Sequence, residues 1–186
     1  MGQPIVIDNK PGAGGVVATN SVAKAPPDGL TLLLMTNSVA VTASMFKSLP
    51  YDTLKDLAPV TTLAYFDMVL VTSANSRFKS LPDMLAYARA NPGKLNIGSI
   101  NVGSTQNLVA QMFKSSAALD AQVVPFNGTP ALVTALRSGD IDVAVEIVAP
   151  MMSQIKSSAV RGLAVLGGAR TTDLPDVPTA AESGVP

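Results

Sequence analysis

The fold class follows from one stretch of the chain, Leu95-Asn96-Ile97-Gly98-Ser99-Ile100-Asn101-Val102-Gly103-Ser104-Thr105-Gln106. Its first half predicts a strand at 95–99, and Gly103 and Ser104 predict the start of a helix. Ser80, with Asp83 three residues later, predicts another helix start. Further strands are predicted at 4–7, 30–35, 66–71 and 141–147. Strands that alternate with helices in this way predict an α/β fold with a parallel-rich sheet and helices on both faces.

Three loops that follow predicted strands are rich in hydroxyl and amide side chains. They contain the candidate ligand-binding residues Thr36, Asn37, Ser38, Ser99, Asn101, Gly103, Ser104, Thr105, Phe126, Asn127, Gly128 and Thr129. Ordinary helix capping by Ser104 explains part of this pattern. A helix N-terminus surrounded by hydroxyls and amides is also a site for a carboxylate or a phosphate. Because the loops contain no Arg, Lys or catalytic base, they favour a binding cleft over an active site.

Two glutamates occur, and they have different predicted roles. Glu182 lies in a segment that resembles the first turn of a helix, where an acid has a structural role. Glu146 ends an otherwise apolar strand, where a carboxylate is costly unless it is paired. We expect it either to meet a basic or hydroxyl partner or to face a ligand cleft, and we count it among the candidate ligand-binding residues. The alternative is a solvated strand end.

Composition excludes several classes of function. The 186 residues include 13 Lys and Arg against 13 Asp and Glu, and no Cys, His or Trp. The balanced charge argues against a nucleic-acid partner. The missing residue types remove thiolate nucleophiles, imidazole bases and most metal sites. The glycine-rich loop at 12–15 does not complete a dinucleotide fingerprint, because Val17 stands where glycine or alanine is needed. We therefore expect no metal, no cofactor and no enzyme activity, since catalysis would need Glu146 with a Ser or Lys and no activated pair is visible.

Several motifs in sequence order connect the chain with a known family. They are the runs 6–15, 23–29, 51–60, 90–96 and 174–179. Together they resemble, from end to end, the substrate-binding proteins of tripartite tricarboxylate transporters, which are also called Bug receptors.

The resemblance implies a type II periplasmic-binding-protein-like fold with two α/β domains. Domain one would comprise residues 1–72 and 167–186, and domain two residues 73–166, with crossover strands at 66–72 and 162–166. Family members begin with a further strand and helix before Gly2 and continue past Pro186. The first domain is therefore expected to be truncated. Either the chain is a natural or engineered fragment, or it repairs the first domain by pairing with a second copy, which the exposed sheet edge favours.

The resemblance also implies a function. A periplasmic receptor of this family captures a small carboxylate between two domains, here a dicarboxylate, a tricarboxylate or an acidic amino acid, and delivers it to a membrane permease. The family's Gly-Ser-Thr loop matches residues 103–105, and its Pro-Tyr-Lys-Gly loop matches residues 125–128, with Phe126 and Asn127 replacing Tyr and Lys. Asn107 stands where the family often has His. The alternative hypothesis is a small-molecule-sensing effector domain of a transcription regulator with the same general fold.

Overall fold

The computed structural model describes Gly2 and residues 4–185. Its contacts divide the chain into two compact units, and the division falls between Thr62 and Leu63. Among the described helices, none combines the length and the apolar character that crossing a bilayer requires.

The first unit contains a short 3-10 helix, Ala13–Gly15, followed by helices α1 (Val16–Ala23) and α2 (Asn37–Met45). Thr19 and Thr42 are buried, and the Thr42 hydroxyl donates a hydrogen bond to the Val39 carbonyl at 3.0 Å. The hydroxyls of Thr19 and Thr42 are therefore satisfied by carbonyls of the preceding turn.

The strands predicted at 4–7 and 30–35 are wrong for this structure. Both segments are irregular, and their apolar side chains are exposed, as in Val6 at 86% and Leu30 at 80%. A strand needs the backbone hydrogen bonds of a neighbour, and within the described residues neither segment belongs to a ladder. Both segments have the apolar pattern of a strand, but within the described residues neither pairs with another strand.

The second unit is built on a five-stranded sheet with the order β3-β2-β4-β1-β5. The strands are β1 (Met68–Ser73), β2 (Leu95–Ile100), β3 (Ala121–Phe126), β4 (Val143–Ile147) and β5 (Val160–Val165). β2 runs parallel to both β3 and β4, whereas β1 is antiparallel to β4 and β5. The expected α/β fold is confirmed, with a mixed sheet in place of a largely parallel one. An apolar run that is buried on both faces carries no information about the direction of its neighbours.

Helices cover both faces of this sheet. They are α3 (Leu81–Ala90), α4 (Thr105–Ser116), α5 (Thr129–Ser138) and α6 (Val148–Lys156). α3 and α4 pack on one face, where Met84 and Phe113 share a core with Leu70. α5 and α6 pack on the other, where Leu136 shares a core with Val71. The helix start predicted at Ser80 is confirmed, since its hydroxyl accepts a hydrogen bond from the Asp83 N–H.

The segment after β5 packs on the same unit. The Val165 N–H donates to the Pro178 carbonyl at 2.8 Å, and the Ala180 N–H donates back to the Val165 carbonyl at 3.0 Å. Ala180 and Val185 are buried in the core beside α3 and α4. Residues 63–72 and 167–185 thus lie with residues 73–166, whereas the resemblance placed them in domain one. The domain assignment for a complete receptor, and the crossover role of the β1 and β5 segments, stay predictions.

Glu182 has the structural role that the sequence predicted. It lies in a short 3-10 helix, Ala181–Ser183, where its carboxylate accepts from the Thr179 N–H at 2.6 Å and from the Arg170 guanidinium at 2.8 Å. The Thr179 hydroxyl in turn accepts from the Glu182 N–H. This reciprocal arrangement is a capping box, and it fastens the C-terminal segment.

We expect this contact to show in the titration of Glu182. Hydrogen bonds from Arg170 and Thr179 lower the pKa of Glu182 from 4.5 to about 2. Because the pKa is lower in the folded state, the contact stabilises the fold above about pH 4.5 and is lost as the pH falls towards 2. Arg170→Ala should raise the pKa towards its ordinary value, as measured by NMR titration of the side-chain carboxyl. Arg89→Ala, at an exposed arginine of α3, is the control, and an unchanged pKa in Arg170→Ala would contradict the assignment.

Candidate functional site

Two of the predicted polar loops meet where the parallel strands β2 and β3 end, which we call the carboxyl edge of the sheet. β2 and β3 are parallel, and they end side by side at Ile100 and Phe126. Each continues through a loop into a helix, α4 or α5. The Asn101 N–H donates to the Phe126 carbonyl at 2.9 Å, so the two loops are directly joined. The carboxyl edge of parallel strands is where α/β folds bind ligands.

The first loop is shaped by its own hydroxyls and amides. The Ser104 hydroxyl accepts from the Asn107 N–H at 3.1 Å and donates to the Ile100 carbonyl at 2.8 Å. The Asn107 side chain donates to the Ser99 hydroxyl at 2.9 Å, and Ser99 is fully buried. Ser104 is therefore a helix cap whose single O–H is already engaged. Ligand contacts by these two hydroxyls stay predictions: Ser104 would have to release the Ile100 carbonyl, and Ser99 would have to become accessible.

Other polar groups at this edge remain accessible. Asn101 and Asn127 are exposed, and Thr105 is half-buried. The first N–H groups of α4 and α5 have no acceptor within their own helices. Main-chain N–H groups and these three side chains are thus the donors that an anionic ligand would meet here.

Glu146 lies beneath the two loops and is fully buried. One carboxylate oxygen, Oε1, accepts from the Gln106 side-chain amide at 2.6 Å and from the Ile147 N–H at 2.8 Å. The other, Oε2, accepts from the Thr129 hydroxyl at 2.7 Å. The expectation of a polar partner is confirmed, and the solvated strand end is wrong. Gln106 belongs to α4 and Thr129 to α5, so one carboxylate joins the starts of both helices.

Gly98 allows α5 to lie directly on β2. A Cβ atom at this position would lie 2.3 Å from Ile141 Cδ1 and 2.6 Å from Leu132 Cδ1. These distances are far shorter than van der Waals contact. The missing side chain at Gly98 therefore leaves room for the Leu132 and Ile141 side chains to pack against β2.

The third predicted loop belongs to the first unit. Thr36 is the residue before α2, and its hydroxyl lies 2.7 Å from that of Ser38. Asn37 is the first residue of the helix. That Thr36, Asn37 and Ser38 contribute to a ligand site stays a prediction.

Two cavities in the second unit were not indicated by the sequence. One, of about 210 Å³, lies at the end of β4 and is lined by Tyr65, Phe66, Asp67, Ile147, Val148, Ala149, Thr171 and Asp173. The other, of about 330 Å³, lies at the opposite edge of the sheet and includes Arg77, Arg137 and Asp142. Arg77 pairs with Asp142 at 2.8 Å and stacks on the Tyr87 ring. These linings come from segments far apart in sequence, so no local signal joins them. Within the described residues, no cluster of acidic side chains could hold a metal ion.

Comparison with protein families matches residues 1–186 to the tripartite tricarboxylate transporter family receptor. The chain belongs to this family. It is 36% identical over 188 residues to Protein BugT of Bordetella pertussis, a match that covers all of this chain and 58% of that protein. The resemblance inferred from the motifs is confirmed.

Solved structures show the same fold. Rpa4515 of R. palustris with adipate is 31% identical, with a TM-score of 0.87, and the match covers 100% of this chain and 62% of that one. MatC (Rpa3494) from Rhodopseudomonas palustris with bound malate is 32% identical, with a TM-score of 0.80, and the match covers 100% and 63%. The chain therefore spans less than two thirds of the length of these relatives.

We predict that Ser104→Ala destabilises the second unit. The substitution removes the acceptor for the Asn107 N–H and the donor to the Ile100 carbonyl. Loss of a serine cap costs about 1 kcal/mol of unfolding free energy. Urea unfolding measures the change, with Ser116→Ala at the exposed end of the same helix as the control. Equal stabilities of the two variants would show that Ser104 does not cap α4.

Proposed function

We propose that this receptor binds a small carboxylate, either a dicarboxylate, a tricarboxylate or an acidic amino acid, at the joined loops of α4 and α5. The observation that supports this proposal is that two helix N-termini converge at the carboxyl edge of parallel strands, where both are hydrogen-bonded to the buried Glu146. The family is one of receptors, and relatives with this fold hold malate and adipate. The role proposed is binding, with no chemical step. Capture of the ligand between two domains stays a prediction.

The proposed site holds an anion without a cationic side chain. Neither loop contains Arg or Lys, so the positive potential comes from the N-termini of α4 and α5. Each contributes about 0.3–1 kcal/mol when exposed and up to about 2 kcal/mol when partly buried. Hydrogen bonds to a charged acceptor contribute roughly 1.5–3 kcal/mol each before desolvation is subtracted. Together these terms are sufficient for micromolar binding, near −8 kcal/mol.

Calorimetry with a panel of carboxylates tests this function. We expect malate, adipate, citrate, aspartate or glutamate to bind with a micromolar Kd, and the ester of the bound acid in which every carboxyl group is methylated not to bind. The Kd should vary only weakly with salt concentration, because the donors are short-range dipoles and not surface charges. A folded sample that binds no member of the panel would contradict the proposal.

Substitutions separate the loop site from surface charge. Thr105→Val, which removes a half-buried hydroxyl beside the first amides of α4, should weaken binding about tenfold. Lys94→Ala removes an exposed charge just before β2, at the other edge of the sheet, and should leave the Kd unchanged. The reverse result would mean that surface charge holds the ligand.

We further propose that the receptor acts in the periplasm and delivers its ligand to the membrane permease of a tripartite transporter. Family membership supports this proposal, and a solved relative is described as a periplasmic binding protein. The chain shares with such receptors the fold of the second unit.

A second copy of this chain is the proposed partner for the exposed apolar segments of the first unit. Ile5, Val6 and Ile7, together with Leu30, Leu32 and Leu34, are each more than two thirds exposed. Exposed apolar patches of this kind mark interaction surfaces. Sedimentation velocity should show a dimer of the 186-residue chain at micromolar concentration. A monomer at every concentration would overturn the proposal and favour cover by other segments of a longer receptor chain.

A further inference from the structure

Glu146 combines complete burial with hydrogen bonds to two separate loops. Its solvent exposure is 0%, and its donors are an amide, a hydroxyl and a main-chain N–H. Gln106 is 40 residues away in sequence and Thr129 is 17 residues away. The two partners lie in the first turns of α4 and α5, which pack on opposite faces of the sheet. Among the residues that the structure describes, Glu146 is the one side chain with hydrogen bonds to the first turns of both helices.

A fully buried carboxylate such as Glu146 has a high free-energy cost. Burial of a carboxylate removes its hydration, and only good hydrogen bonds offset that loss. An ionised carboxylate offers about four lone-pair positions, and in Glu146 three of them are occupied. Both oxygens are thus committed to the protein, and neither reaches solvent.

We propose that Glu146 is a positioning residue: it holds the first turns of α4 and α5 at a fixed separation, so that both present their N–H groups to one ligand carboxylate. This inference rests on the function proposed above. It assigns Gln106 and Thr129 to the same task, with their side chains turned towards Glu146 and not towards the ligand.

A direct ligand contact by Glu146 is the competing interpretation. It would bring the ligand's carboxylate beside a buried carboxylate, and like charges at short distance oppose each other. It would also require the ligand to reach a side chain that is fully buried beneath the two loops. The positions of Gln106 and Thr129 therefore favour the positioning role.

The test compares two substitutions of Glu146. Glu146→Met keeps the length of the side chain and removes both acceptor oxygens. It should weaken binding of the tightest panel carboxylate about tenfold. Glu146→Gln keeps an acceptor and can exchange donor and acceptor roles with the Thr129 hydroxyl, so its Kd should stay within about threefold of the original. If the charge of Glu146 met the ligand, Glu146→Gln would change the Kd as much as Glu146→Met does.

Thr129→Val supplies the second arm and is conservative enough to fold. It should weaken binding about fivefold in the original protein and produce no further loss in Glu146→Met, because the same link is already broken. Thr134→Val, an exposed position on the same helix, is the matched control and should have no effect. Equal losses from Thr129→Val in both backgrounds would mean that Thr129 contacts the ligand itself, and the proposal would be wrong.

A measurement without ligand keeps the two proposals distinguishable. Amide hydrogen exchange in the free protein should become faster at residues 101–107 in both Thr129→Val and Glu146→Met, although Thr129 lies in the other loop. Unchanged exchange at residues 101–107 would overturn the positioning role even if carboxylates bind. Changed exchange in a protein that binds no carboxylate would support the link between the loops and contradict the proposed function. Thermal unfolding of each variant separates these effects from a general loss of stability.

Discussion

Burial of the Glu146 carboxylate is the constraint on which the candidate site depends. Folding takes this group entirely out of water, a transfer that costs several kcal/mol unless donors replace the lost hydration. Here the donors are Gln106, Thr129 and the main chain at Ile147. Gln106 and Thr129 lie in the first turns of α4 and α5, so satisfying one carboxylate fixes two helix starts relative to β4. A hydrophobic core alone would hold these helices on the sheet but would not fix their ends in this way.

The two ends of the strands in the second unit differ in their charged and polar groups. At the carboxyl edge of β2 and β3, neutral donors and helix N-termini converge, and the loops carry no cation. At the other edge, Arg77 pairs with Asp142 and Arg137 lines a nearby cavity. A carboxylate that met the arginine edge would compete with an existing ion pair. Dipoles fixed by the fold make the carboxyl edge the better environment for an anion, because their orientation is already set before binding.

In the first unit, two segments with the apolar pattern of strands do not form strands. Residues 4–7 and 30–35 have the composition of strands, yet they are exposed and irregular. Strand formation depends on hydrogen bonds from neighbouring backbone, which a local pattern cannot supply. Protein BugT, MatC and Rpa4515 are longer, and this chain covers between 58% and 63% of them.

The sequence by itself determined the alternation of strands and helices in the second unit, the helix starts at Ser80 and Ser104, the polar loops and the family. These features follow from local periodicity, capping chemistry and short motifs, which act within a few residues of the chain. Only the tertiary structure decided that β1 runs against its neighbours, that residues 167–185 pack beside α3 and α4, and that Glu146 meets Gln106 and Thr129. Each of these depends on contacts between residues far apart in sequence. The strand containing Glu146 was visible in its pattern, but the side-chain donors that make its burial tolerable lie on α4 and α5, which only the packing of both helices on the sheet brings to it.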